Sequence, residues 1–160
     1  MTIKVGDRVP SASLKHMTAD GMQTITTDQL FKGKKVVLFA LPGAFTPTCS
    51  AKHLPGFVQN AEAIKAKGVD TIACLSVNDA FVMNAWGKDQ KVGDKVLMLA
   101  DGNAEFAEAT GLTMDGTGYG MGKRTSRWAM VIDDGKVKTL NIEAPGAFEV
   151  SSAESVMKAL

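Results

Sequence analysis

Lys35-Val36-Val37-Leu38-Phe39-Ala40-Leu41-Pro42-Gly43-Ala44-Phe45-Thr46-Pro47-Thr48-Cys49-Ser50 is the stretch from which the fold can be read. Val36 to Leu41 is apolar without interruption, which predicts a strand of a sheet covered on both faces. Beyond Cys49, residues Leu54, Phe57, Val58, Ala61 and Ile64 recur at helical spacing and predict a helix from Ser50 to about Lys67. Pro55-Gly56 should kink that helix, and Gly68 should stop it. Cys49 therefore falls between a buried strand and a helix start. The first-turn N–H groups of a helix lack internal partners, and its dipole adds partial positive charge there. Such a place favours the thiolate, the nucleophilic form of cysteine.

The pattern extends in both directions. Ser11–Met17 and Met22–Thr26 flank Asp20-Gly21 and read as a hairpin, followed by a short capped turn at Thr27–Leu30. Downstream, Val69–Val77 reads as a strand, and Asn78-Asp79 caps a helix to about Lys88 that carries Phe81, Val82, Ala85 and Trp86. Val96–Ala100 is a third strand, and Asn103–Thr110 a helix closed by Gly111. Ser126–Asp133 and Lys136–Ile142 bracket Asp134-Gly135 as a second hairpin. Ser151 with Glu154 reads as the capping box of a last helix. The order predicts an α/β domain with a central mixed sheet, helices on both faces and an N-terminal β-hairpin extension, a thioredoxin-like fold. With no repeat or linker visible, residues 1–160 are read as one domain.

Composition narrows the function. Eighteen basic residues against seventeen acidic ones give a formal charge of +1, so neither nucleic acid nor an anionic membrane is expected as a partner. The longest apolar run is too short to cross a bilayer, and Met1–Asp7 lacks the apolar core of a signal peptide. A cytoplasmic location is the expectation. Two cysteines, Cys49 and Cys74, with no Cys-x-x-Cys, argue against a disulfide scaffold or dithiol motif. With His16 and His53 they do not match zinc-site spacing, so no metal or cofactor is expected.

Thr46 precedes Cys49 by three residues, a spacing that can bring its hydroxyl beside the sulfur or make it a helix cap. Cys74, within Thr71–Val77, reads as a core thiol. His53 is four residues from Cys49, and a Cys-His pair is a hydrolase arrangement, but nothing completes such a site. Asp115–Arg124 fails the phosphate-loop pattern and reads as a flexible surface loop.

Pro42-x-x-x-Thr46-x-x-Cys49 resembles the active-site signature of the peroxiredoxins. The fuller text Pro42–Ser50, with His53–Phe57, Cys74–Val82 and Ser126–Val131, resembles the peroxiredoxin-five branch, which includes the type II plant enzymes. The resemblance implies a thiol peroxidase in which Cys49, Thr46 and Arg127 are catalytic and Pro42 shields the sulfur and shapes the pocket. Thr48 is placed in the substrate pocket with it, and His53 is read as structural or as a pocket wall. Without the resemblance, Lys123 and Arg124 rival Arg127 as the activating cation. Hydrogen peroxide and small alkyl hydroperoxides are the implied substrates. No resolving cysteine occurs in Asn141–Leu160, so the sulfenic acid is expected to be recycled by an external thiol. Glutathione with glutaredoxin is the first expectation, and thioredoxin the second. A homodimer is also implied, through the Gly43–Phe45 loop and the region of Phe81. Two other readings use the same cysteine: a peroxide sensor or redox-regulated chaperone oxidised stoichiometrically, and a cysteine hydrolase that needs His53.

Overall fold

The structure, a computed structural model, describes residues 2–160. Strands β1 (Ser13–Thr18) and β2 (Gly21–Thr26) form the first hairpin, and α1 (Thr27–Phe31) follows. Strand β3 (Lys35–Ala40) leads through the Cys49 loop into a π turn (Cys49–His53), α2 (Leu54–Gln59) and α3 (Ala61–Ala66). Next come β4 (Thr71–Ser76), α4 (Ala80–Asp89), β5 (Leu97–Ala100) and α5 (Glu105–Thr110). Strands β6 (Thr113–Asp115) and β7 (Lys123–Thr125) form a small separate ribbon. Strands β8 (Trp128–Asp133) and β9 (Lys136–Ile142) and helix α6 (Ala153–Lys158) complete the chain.

The main sheet runs β2-β1-β5-β4-β3-β8-β9. Its centre is parallel, β5-β4-β3, and its flanks are antiparallel. Side chains alternate across β3, which explains the uninterrupted apolar run. Val37, Phe39 and Leu41 join the core layer that contains Cys49, Phe57, Trp86 and Val156. Val36, Leu38 and Ala40 join the opposite layer with Phe31, Phe106 and Trp128. The mixed sheet with helices on both faces and the N-terminal hairpin are as the sequence predicts.

Several local expectations are corrected. The helix predicted over Ser50–Lys67 begins earlier, with Ser50 N–H bonded to Thr46 O, and is divided into three pieces. Pro55, expected to kink the helix, does not end it: it directly follows the wide π turn, and α2 runs on to Gln59. The break comes at Asn60, whose backbone leaves the helical region and whose amide Nδ2 donates to Gly56 O at 2.8 Å. On α4, Phe81 and Ala85 face outward; Ala80, Met83, Trp86 and Gly87 are the buried positions. The cap of α6 lies one residue later than predicted. Ser152 accepts from Ser155 N–H, and Ser151 is drawn elsewhere by Glu143. Asp115–Arg124 is not a plain loop: it holds the turn of the β6–β7 ribbon.

Candidate active site

The loop after β3 is shaped by three constraints. Gly43 packs so closely that a Cβ there would meet Arg124 Nη1 at 2.9 Å and Thr46 Cγ2 at 3.2 Å. Phe45 has a φ of 63°, a left-handed conformation unusual for a bulky residue and a recurrent mark of functional loops. Asn78 holds the bend, its Oδ1 accepting from Ala44 N–H at 3.0 Å and from Ser76 Oγ at 2.7 Å. Pro47 then starts the helix at a position that suits proline. Because Ser50 N–H makes the first helical bond, the N–H groups of Thr48 and Cys49 lie in the unpaired first turn.

The next turn is wider than an α-helix, with Leu54 N–H bonded to Cys49 O. Such π turns recur at functional sites, and this one carries Cys49 at its start and His53 at its end. The Cys49 side chain is 1% exposed, and its sulfur accepts a hydrogen bond from Arg127 Nη2 at 3.1 Å. The strand parity of β8 explains the meeting. Ala129 and Val131 lie in the Cys49 layer, so Arg127, two residues before Ala129, points to the same side. Its rivals are engaged elsewhere: Lys123 pairs with Glu108, and Arg124 braces the loop by donating to Pro42 O at 3.3 Å.

Thr46 Oγ1 donates to Gly43 O at 2.6 Å. Its single proton is thus committed, and what it offers the site is a lone pair. Pro42 and Thr48 are half-buried in the same loop. His53 is fully buried behind Arg127. Its Nε2 lies 2.9 Å from Ser151 O, a carbonyl that can only accept, so Nε2 carries the proton. Nδ1 is then the acceptor for Arg127 Nη1 at 2.7 Å. Burial, helped by the neighbouring Arg127 charge, pushes the His53 pKa down to about 3, so the ring is neutral. Both nitrogens are occupied, which leaves no base for a hydrolase.

Cys74 is fully buried on β4, and burial pushes its thiol well above the ordinary range, with the Cys49 charge adding to the effect. It is a neutral core group in this state. Cys74→Ala should therefore leave catalytic turnover with an external thiol unchanged, at a stability cost of about 1 kcal/mol. Collapse of turnover in a steady-state assay would make Cys74 a working thiol.

Sequence reasoning did not find Asn78 as the brace of the loop, nor Phe148, Ser151 and Glu143 beside the site. Phe148 packs at a tilt against His53, with ring centroids 5.0 Å apart, and lies under the Arg127 guanidinium at 5.8 Å. Among the described residues, no carboxylate lies within ion-pair distance of Arg127. A buried sulfur and a cation with uncompensated charge meet here, and the Thr46 hydroxyl, three residues before Cys49 in the same loop, keeps its lone pairs. That arrangement stabilises negative charge on sulfur and on a small oxygen ligand.

The Redoxin family model matches residues 4–157. Peroxiredoxin-2E-2, chloroplastic, of Oryza sativa is 55% identical over 99% of this chain and 73% of its own length. Peroxiredoxin-2B of Arabidopsis thaliana is 49% identical over 99% of this chain and 98% of its own. The crystal structure of reduced Prx3 from Vibrio vulnificus in complex with hydrogen peroxide superposes with a TM-score of 0.96, at 56% identity and 99% coverage of both chains. With the sulfur, guanidinium and hydroxyl arranged as above, these likenesses establish that the chain belongs to the Redoxin family and is a peroxiredoxin, an oxidoreductase that reduces peroxides through a thiol.

Proposed function

We propose that Cys49 is the peroxidatic nucleophile and that the enzyme works in a one-Cys cycle. The observation that carries this is the 3.1 Å bond from Arg127 Nη2 to Cys49 Sγ in a site sealed from water. The thiolate attacks one oxygen of the peroxide. An S–O bond forms as the O–O bond breaks, and sulfur loses two electrons. The leaving oxygen takes a proton and departs as water or an alcohol. Arg127 offsets the charge that spreads over sulfur and both oxygens, and the unpaired N–H groups of the Cys49 turn assist. Thr46 Oγ1, its proton given to Gly43 O, accepts from the peroxide O–H and so orients it. From sequence the same hydroxyl was expected beside the sulfur or as a helix cap; its bond to Gly43 O makes it an acceptor.

Hydrogen peroxide is the favoured substrate, supported by the complex of the Vibrio relative, with small alkyl hydroperoxides beside it. The sulfenic acid then condenses with an external thiol, releasing water, and a second thiol breaks the mixed disulfide. Two facts support an external reductant: Cys74 is a buried neutral thiol, and the chain has no third cysteine. Glutathione with glutaredoxin is the first candidate and thioredoxin the second. We place the enzyme in the type II branch on its motif blocks, in the cytoplasm, and in a homodimer through exposed Phe45 and Phe81.

The test is peroxide consumption with glutathione plus glutaredoxin, beside thioredoxin plus its reductase. Catalytic turnover in either supports the cycle. One equivalent consumed and no more in both would favour a stoichiometric sensor. In the same assay, Arg127→Ala should slow peroxide attack about 10²- to 10³-fold, the usual effect of losing a donor to developing charge. An unchanged rate would remove Arg127 from the mechanism.

A further inference from the structure

We propose that Glu143 is a positioning residue for the peroxidase reaction, holding the Arg127 guanidinium on the Cys49 sulfur through Ser151 and His53. The inference rests on the reading of Arg127 given above. Glu143 follows β9 and lies across from Arg127, its N–H bonded to Arg127 O at 3.0 Å. From there the chain leaves through Pro145-Gly146 and returns, and the Glu143 carboxylate collects the returning backbone. Oε2 accepts from the N–H groups of Glu149, Val150 and Ser151 at 2.8 to 2.9 Å and from Ser151 Oγ at 2.6 Å. Oε1 accepts a further bond from Glu149 N–H at 3.0 Å.

This clamp decides where Ser151 O points. That carbonyl accepts from His53 Nε2–H at 2.9 Å, which fixes the proton on Nε2 and leaves Nδ1 bare. The bare Nδ1 accepts from Arg127 Nη1 at 2.7 Å, and Nη2 is thereby turned to the sulfur. The same clamped loop carries Phe148 beneath the guanidinium. The chain of contacts uses an anion at one end and a neutral ring in the middle. A carboxylate placed directly on Arg127 would orient it equally well but would cancel the charge the reaction needs. Relaying the constraint through an amide and an imidazole orients the cation and leaves its charge free.

The experiment compares two rates for Cys49 in folded, reduced protein: reaction with hydrogen peroxide and alkylation by iodoacetamide. Peroxide attack needs the guanidinium in place, whereas alkylation does not use its bond to oxygen. Glu143→Ala is expected to slow the peroxide reaction about tenfold or more relative to alkylation, since small misplacements of a catalytic group carry losses of this order. Glu143→Gln, which keeps the acceptor oxygen, should restore most of the difference. The ¹⁵N spectrum of His53 should show one tautomer in the wild type, protonated at Nε2, and lose that purity in Glu143→Ala. Equal changes in both rates, or a wild-type ratio, would overturn the proposal. If Glu143→Ala does not fold, Glu143→Asp decides by the same ratio, because it keeps the charge but falls one methylene short of the turn. Arg127→Ala run in parallel separates the two claims. A slow Arg127→Ala with a normal Glu143→Ala defeats the relay alone, and a normal Arg127→Ala defeats the role of Arg127 itself.

Discussion

Peroxide consumption is expected to fall to the uncatalysed rate in Cys49→Ser. Serine nearly matches cysteine in shape, so the loop, the π turn and the Arg127 contact survive, and stability should change little. What is lost is the chemistry. An alcohol is not appreciably ionised near neutral pH and is a far weaker nucleophile than a thiol, even with the Arg127 guanidinium 3.1 Å away. Oxygen also cannot take the place of sulfur as the atom that is oxidised and then reduced. The effect exceeds that of any other substitution because no second thiol stands in reserve: Cys74 is buried, protonated and enclosed by core side chains. The measurement is peroxide loss with reductant in excess, with a thermal melt to confirm the fold. Catalytic turnover by this variant would refute the assignment of the nucleophile.

Acidification is expected to destabilise the fold through His53, and the sign follows from its depressed pKa. In the unfolded chain the imidazole takes up a proton near its ordinary value of 6.5, while in the folded protein it resists until about 3. Below pH 6.5 the unfolded state binds the extra proton and is favoured. The His53 contribution is complete above that value and is lost as pH falls toward 3, at about 1.4 kcal/mol per unit. Glu143 acts in the same direction at lower pH. Burial opposes its charge, but the bonds from Ser151, Glu149 and Val150 outweigh burial and hold its pKa below the usual range. Asp101 acts oppositely, since burial raises its pKa. Asp101 and Glu143 are common to the wild type and His53→Gln, so comparing the two from pH 6.5 to 5 isolates the histidine. Urea unfolding across it should give a steeper loss for the wild type than for His53→Gln, and parallel curves would contradict the buried neutral ring.

The parts of the site that sit on regular elements were legible in the sequence, for a definite reason. A continuous apolar strand, a proline-glycine exit and a helical period downstream leave Cys49 one place to be. Arg127 was singled out from Lys123 and Arg124 only by the family resemblance; the folded chain supplies the reason, because Ala129 and Val131 face the Cys49 layer and period two carries that side back to Arg127. The π turn was not legible: residues 50–64 have a sound helical pattern, and one widened turn barely disturbs it. The direction of the Thr46 proton depends on a loop carbonyl that no pattern announces. Glu143 was invisible for a third reason. It lies 94 positions beyond Cys49, at a strand end where an acidic residue is unremarkable, and its meaning comes from a returning loop that only the folded chain brings to it.

The 1% exposure of Cys49 also bears on timing. At that exposure a tripeptide or protein thiol cannot bring its sulfur within bonding distance of Cys49 while the site is closed. Under the proposed cycle, reduction must wait for residues 46–54 to swing out. The π turn at Cys49–His53 lies within that segment. The frequency of opening then sets a dwell time for the sulfenic acid. During that interval a second peroxide competes for the same sulfur, and capture leads to sulfinic acid and a dead enzyme. A stiffer helix would lengthen the wait and a looser one would shorten it, so the firmness of one turn trades throughput against survival in high peroxide.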